Sequence, residues 1–259
     1  MAKKVIVIIL SVLLFISAAC LGMATVFRVK GVAVEVSMVS KAAEGEAQEI
    51  KAHLEEAYMR EGILFLDDTA AKEIVEKYPY FRITAFEKAY PDKLVVKIAE
   101  DAEVYAVHGG DESYYLLNAK GEILGERADY ANRFDQEPNL LIKGVEVTVQ
   151  DGKTLTGDDC YAAILTLLKK ADELLGGVRR NATEAEVIRR SPETIIRIQM
   201  REGVELCIVN PQEQAEKKAE MAINKYLSLT DSQRLGGCVI VSSGINDVVA
   251  DYTAEKIYG

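Results

Sequence analysis

Few residues in this chain carry obvious chemistry. Its 259 residues include only 2 histidines, 4 cysteines and 5 prolines, and no tryptophan. The cysteines, Cys20, Cys160, Cys207 and Cys238, form no CxxC pair, and no Cys/His set has the spacing of a metal site. No glycine motif of the kind that cradles phosphate is present. Lys and Arg total 31 against 41 Asp and Glu, a formal net charge of −10. That balance argues against nucleic acid as a partner, because a polyanion rewards clustered cations. There is no run of like charge, no low-complexity tract and no internal repeat. The missing tryptophan excludes nothing.

Catalytic candidates are correspondingly sparse. His53 falls on the polar side of an expected helix, and His108 shares a glycine-containing loop with Asp111 and Ser113. A Ser-His-Asp triad needs a base within reach of its nucleophile and an acid behind the base. Three such residues crowded into one short loop read instead as a solvated turn. Asp67-Asp68 reads as a helix start rather than a carboxylate pair. "DGKTLTGDD" lacks the alternating oxygen ligands and closing glutamate of a calcium loop. The expectation is a protein that is not an enzyme and has no cofactor and no metal.

At 49% hydrophobic and 28% charged, the chain has the composition of an ordinary folded protein, long enough for one large domain or two small ones. Its amino terminus is the exception. Val5 to Phe27, "VIVIILSVLLFISAACLGMATVF", carries no charge. As a helix this stretch reaches roughly 34 Å, enough for a hydrocarbon core of about 30 Å. A transmembrane helix over residues 5–27 is expected, behind a short tail of residues 1–4. The competing reading is a signal peptide cleaved before Cys20, with Lys3 and Lys4 as its basic region and "ISAAC" as a lipoprotein site. The continuation of the apolar run past Cys20 favours the anchor. Charge leaves orientation nearly undecided, since Lys3 and Lys4 oppose Arg28 and Lys30.

Beyond that segment the pattern changes. Val32, Val34 and Val36 alternate as a strand. Ala47, Ile50, Leu54, Ala57 and Tyr58 recur at helical spacing, as do Ala71, Ile74, Val75 and Tyr78 before Pro79. Residues 82–89 read as a strand, Tyr90-Pro91-Asp92 as a turn, and Lys93 to Glu100 as a strand with Leu94, Val96 and Ile98 on one face. Residues 28–100 are thus strand, helix, helix, strand, strand: a small sheet with two helices on one face.

The remainder is richer in strands. "SYYLLNAKGEIL" reads as a hairpin turning at Asn118 to Gly121, "LLIKGVEVTV" as one extended run, and "DGKTLTGDD" as a polar loop. Tyr161, Ile164, Leu165, Leu168 and Leu175 mark a helix closed by Gly176-Gly177. Three strands follow, with Thr194, Ile196, Ile198 and Met200 inward in the middle one. Asn210-Pro211 opens a helix buried through Ala215, Ala219, Ala222, Ile223 and Tyr226. "CVIVSS" and "DVVADY" are the last strands, joined by Gly244-Ile245-Asn246. Cys207 and Cys238 lie in apolar runs and read as small buried hydrophobes rather than a disulfide.

In this order the pieces resemble the bacterial division proteins FtsQ and DivIB. The carrying stretch is a proline-ended helix, Tyr80-Phe81, a strand ending in Lys88, Pro91 with Asp92, then "LVVKIAE". "YYLLNAKGEIL" is similar to the family's strand-turn-strand, with Asn118 where an aspartate is usual, and "VELCIV", "KKAEMAINKYL" and "CVIVSS" to its closing strand-helix-strand. Asp101 and Glu103 depart from the family's usual residues.

The resemblance spans about 230 residues and implies an α+β chain. Its parts are a single transmembrane helix, a POTRA-like β-α-α-β-β domain (28–100), a mixed extracytoplasmic β-domain with two packed helices (101–253) and a tail (254–259). It implies a non-enzymatic divisome scaffold in the cell membrane at the division septum, amino terminus cytoplasmic. Its partners would be the plasma membrane and bitopic proteins of the FtsB/DivIC and FtsL type. They would dock by strand addition on the last strand, here Asp247, Val248, Val249, Ala250, Asp251 and Tyr252, with Ser242 and Ser243 adjacent. The alternative is the cleaved lipoprotein, acting as an envelope binding module or hydrolase. A transport protein with a POTRA unit is a third, but no long barrel of amphipathic strands follows here.

Overall fold

The computed structural model describes residues 2–38, 40–109, 112–134, 137–245 and 247–258, without the side chains of 2–8, 19, 20, 23 and 24. The chain is α+β with mixed sheets and divides into two compact units, Met1–Asp101 and Ala102–Gly259.

The first unit begins with helix α1 (Ala2–Val26). It corrects the expected transmembrane helix, because among the described residues no helix is long and apolar enough to cross a membrane. The helix also stops short of Phe27, whose carbonyl accepts the Ile63 N–H at 2.9 Å. Cys20, the proposed processing residue, has its side chain outside the described residues.

Strand β1 (Gly31–Ser37), α2 (Ala43–Tyr58), a 3-10 turn (Ile63–Phe65), α3 (Thr69–Val75), β2 (Phe81–Ala89) and β3 (Lys93–Glu100) follow. The strands order β1-β3-β2, with β3 parallel to β1 and antiparallel to β2. Period-two alternation in β3 buries Leu94, Val96 and Ile98, which meet the Ala43, Ala47, Ile50, Leu54 and Tyr58 face of α2. Ala57, expected in that stripe, is exposed. The Tyr58 hydroxyl joins the helices, accepting the Ala71 N–H at 2.8 Å and donating to the Asp67 carbonyl at 3.0 Å. Asp67, rather than the adjacent Asp68, accepts the Thr69 N–H. That bond holds the Asp67 carboxyl below its usual range. Helix α3 ends at Val75, ahead of Pro79, as the restricted geometry before a proline requires.

The second unit contains β4 (Tyr105–His108), β5 (Tyr114–Leu117), β6 (Ile123–Arg127), β7 (Leu140–Lys143), β8 (Val147–Gln150), β9 (Thr154–Gly157), α4 (Asp159–Leu175), α5 (Val178–Asn181), β10 (Ala182–Arg190), β11 (Glu193–Met200), β12 (Glu205–Val209), α6 (Ala215–Leu227), α7 (Asp231–Arg234), β13 (Cys238–Ser243) and β14 (Val248–Thr253). Among the described residues one nine-stranded sheet runs β14-β13-β12-β11-β10-β7-β4-β5-β6, and β8-β9 is a separate hairpin. The pairs β12/β13, β10/β7 and β4/β7 are parallel. Ile164 and Leu168 of α4, Ala222 and Tyr226 of α6, and Ile196, Leu206 and Val239 of the sheet share the main core. On the opposite face Ile195, Cys207, Val209 and Cys238 form a smaller cluster under Tyr258.

Several expectations change here. Strand β4 was not foreseen: Tyr105, Ala106 and Val107 are all fully buried, so the strand has no alternation to read. "LLIKGVEVTV" breaks at Gly144, whose φ of +71° and close approach to Val187 exclude a side chain, since a Cβ would lie 2.3 Å from that carbonyl. "DGKTLTGDD" is not a loop throughout, for Thr154–Gly157 pairs with β8. Strand β11 is covered on both faces, so Ile195 is buried beside Ile196. Helix α6 begins at Ala215, not at Asn210-Pro211. Asn210 sits at φ +46°, and its side-chain carbonyl accepts the Thr194 N–H of β11 at 3.1 Å. The asparagine therefore closes a strand.

Candidate functional site

The candidate site is the margin formed by β13 and β14. The strands pair antiparallel, Ser243 with Val248 through Cys238 with Thr253. The Gly244 N–H donates to the Asp247 carbonyl at 2.6 Å, so these two residues form a hydrogen-bonded pair. Antiparallel alternation carries that phase to Val249, Asp251 and Thr253, whose backbone groups address Ser242, Ile240 and Cys238 of β13. The N–H and C=O groups of Val248, Ala250 and Tyr252 consequently point away from the sheet. Among the described residues no strand pairs with that side of β14.

The side chains divide by the same alternation. Val248, Ala250 and Tyr252 pack into the main core, and the Tyr252 hydroxyl donates to the Gly236 carbonyl at 3.3 Å. Val249 and Asp251 are exposed on the other face. Gly237, at φ +79°, lets the end of β14 close in, since a Cβ there would lie 2.3 Å from the Thr253 carbonyl. At the other end the Asp247 carboxylate accepts the Val248 N–H at 2.7 Å and pairs with Lys217 of α6. That pairing, followed by the Val248 bond, draws its carboxyl below the usual range. Ser243 donates to Glu213 at 3.4 Å, and Ser242 lies beside Val249 in the ladder. Asn246 lies outside the described residues, and the side chain of Ile245 is fully exposed.

The tail does not follow the edge. It turns back across the sheet face opposite the main helices, where Lys256 pairs with Glu205 at 2.8 Å and Tyr258 covers the small cluster. The Arg197 guanidinium donates to the Tyr258 carbonyl at 3.4 Å, and the Arg190 guanidinium lies 5.8 Å from the Tyr258 ring centre. Of the expected site residues, Asp247 to Tyr252 and Ser242 and Ser243 thus fall on one hairpin. Lys217 and Glu213 were missed, since only the packing of α6 on that hairpin brings them there.

The remaining candidates do not converge. His53 lies exposed on α2. His108 ends β4 rather than sitting in a loop, with its ring edge-on to Tyr114 at 5.4 Å. Ser113 donates to Glu126, and Asp111 lies outside the described residues. Among the described residues no three His, Cys, Asp or Glu side chains gather as a metal site. An open cleft of about 470 Å³ beside α6 is lined by Lys170, Gln214, Glu216, Lys217 and Glu220, charges of both signs at the surface. No protein-family model matches the chain, and no curated protein matches it.

Proposed function

We propose that this protein is a non-enzymatic docking platform of the FtsQ/DivIB type, receiving an extended segment of a bitopic division protein of the FtsB/DivIC or FtsL type along the outer edge of β14. The observation that carries the reading is the unpaired edge: a terminal strand whose outward backbone groups, at Val248, Ala250 and Tyr252, have no neighbouring strand among the described residues. An added strand would satisfy those groups from the Val248 carbonyl onward, with main-chain bonds giving affinity and alternate side chains giving specificity. At a net 0.5–1.5 kcal/mol for each of roughly four bonds, the grip would be useful and reversible. The exposed Val249 and Asp251 would supply the side-chain reading. The platform would act outside the cytoplasm, at the septum, while cell wall is being built.

The test is Ala250→Pro in the full chain, with capture of a DivIC-type partner as the readout. The Ala250 N–H points outward, so the proline removes a bond to the partner and none to β13. Capture is expected to disappear while cooperative unfolding stays near its original midpoint. Undiminished capture by the folded variant would rule out strand addition at this edge.

A further inference from the structure

The small cluster on the tail-covered face holds two cysteines from adjacent strands. Cys207 of β12 and Cys238 of β13 are both fully buried, with their Sγ atoms 2.7 Å apart. Glu205 is the register partner of Cys238, so Cys207 lies two residues further along β12, on the same face. A covalent S–S bond is about 2.05 Å, so the sulfurs need approach by only about 0.7 Å. Cys160 is not a competitor. It belongs to the core on the other face, and its Sγ accepts the Gln212 side-chain N–H at 3.3 Å.

The tail roofs this pair. Tyr258 packs on the cluster, held by Arg197 and Arg190, and Lys256 reaches the buried Glu205 carboxylate on the same strand and face as Cys207. The second Glu205 oxygen, Oε2, has no partner among the described residues. We propose that Cys207 and Cys238 are a dithiol–disulfide pair, with residues 254–258 as the strap that shields them from solution oxidants. This inference does not depend on strand addition at β14.

The chemistry balances with a low-molecular-weight disulfide as oxidant. One cysteine of the pair, as thiolate, attacks a sulfur of the oxidant, forming a mixed disulfide and expelling one thiolate. The other then gives up its proton and attacks the protein sulfur of that mixed disulfide, expelling the second. Two protein thiols lose two electrons and two protons, and the oxidant becomes two thiols. The hydrogen bond with Cys238, then burial, pushes the Cys207 thiol upward, so little of it is thiolate in the folded protein. Lifting the strap is the event that admits the reaction.

Glutathione disulfide is the probe, applied to the reduced full chain, with free thiols then alkylated under denaturing conditions and peptides mapped by mass spectrometry. The expected product is a peptide pair joined through Cys207 and Cys238, with Cys160 still alkylated. Tyr258→Ala should form it several-fold faster, and Lys256→Ala should show the same direction should the first variant unfold by circular dichroism. Both cysteines remaining alkylated in wild type and in folded strap variants would overturn the pairing, as would linkage through Cys160. Equal rates in wild type and both variants would overturn the shielding.

Discussion

The Asp247 carboxylate sits 2.7 Å from the N–H of Val248 and accepts its hydrogen bond, occupying the first outward donor of β14, while Lys217 of α6 neutralises the same carboxylate. The edge is therefore capped at its entry and open from the Val248 carbonyl onward. If a partner strand adds there, Asp247→Ala frees one more donor. One net bond corresponds to about a two- to tenfold change, and capture should tighten by that factor. Titration calorimetry on the full chain checks it, and an unchanged affinity would mean that the partner strand does not reach Val248.

The hydrogen-bond phase makes the effect of proline depend on parity. Asp251→Pro replaces a donor that faces β13, whereas Ala250→Pro replaces one that faces outward. The first should lower stability by about 1–3 kcal/mol, the cost of leaving a β13 carbonyl without its donor, and the second far less. Urea midpoints of the two variants decide the matter. Equal losses would place the phase one residue out.

Glu103 is the buried hub of a polar cluster. Its carboxylate accepts the Asn139 side-chain N–H at 3.1 Å, the Arg133 backbone N–H at 3.0 Å and the Arg127 guanidinium at 3.2 Å. Glu103→Ala would leave these donors without their acceptor, and a loss of about 3–5 kcal/mol is expected. Chemical denaturation reads it directly, and a loss under 1 kcal/mol would show that water replaces the carboxylate at no cost.

Burial pushes the Tyr161 hydroxyl up to about 12, and burial together with the hydrogen bond to Glu202 does the same for Tyr226. Tyr105, fully buried, is raised further. A raised folded-state value means that the native protein keeps a proton which the unfolded chain releases. The stabilisation is therefore complete below the ordinary phenol value of about 10 and is lost as pH climbs from there through 12. Alkaline titration by phenolate absorbance should show these three, of 12 tyrosines, ionising only with unfolding. All tyrosines titrating together in still-folded protein would contradict it.

How far the sequence reached depended on burial. The alternation of Leu94, Val96 and Ile98 and the 3.6 spacing of Ile50 and Leu54 were legible because each element has one wet face. Tyr105 to Val107 and the doubly covered Ile195 gave no such signal, because both of their faces are dry. Asn210-Pro211 misled for a different reason. Its cap chemistry was genuine, but the Asn210 side chain satisfies a strand donor sixteen residues back rather than a helix. The amino-terminal stretch misled through composition: an uncharged run promised a membrane-crossing helix, and none is found among the described residues.

Local pattern by itself determined the β-α-α-β-β order of the first unit, the helix closed at Gly176 and the two final strands, because these follow from side-chain period and turn residues within a few positions. Tertiary structure alone decided that β14 lies at the sheet's margin, that Cys207 and Cys238 touch, and that the tail crosses their face. Each depends on which strands become neighbours, a choice made by the packing of α4 and α6 on one face of the sheet and not by any property of the strands read singly.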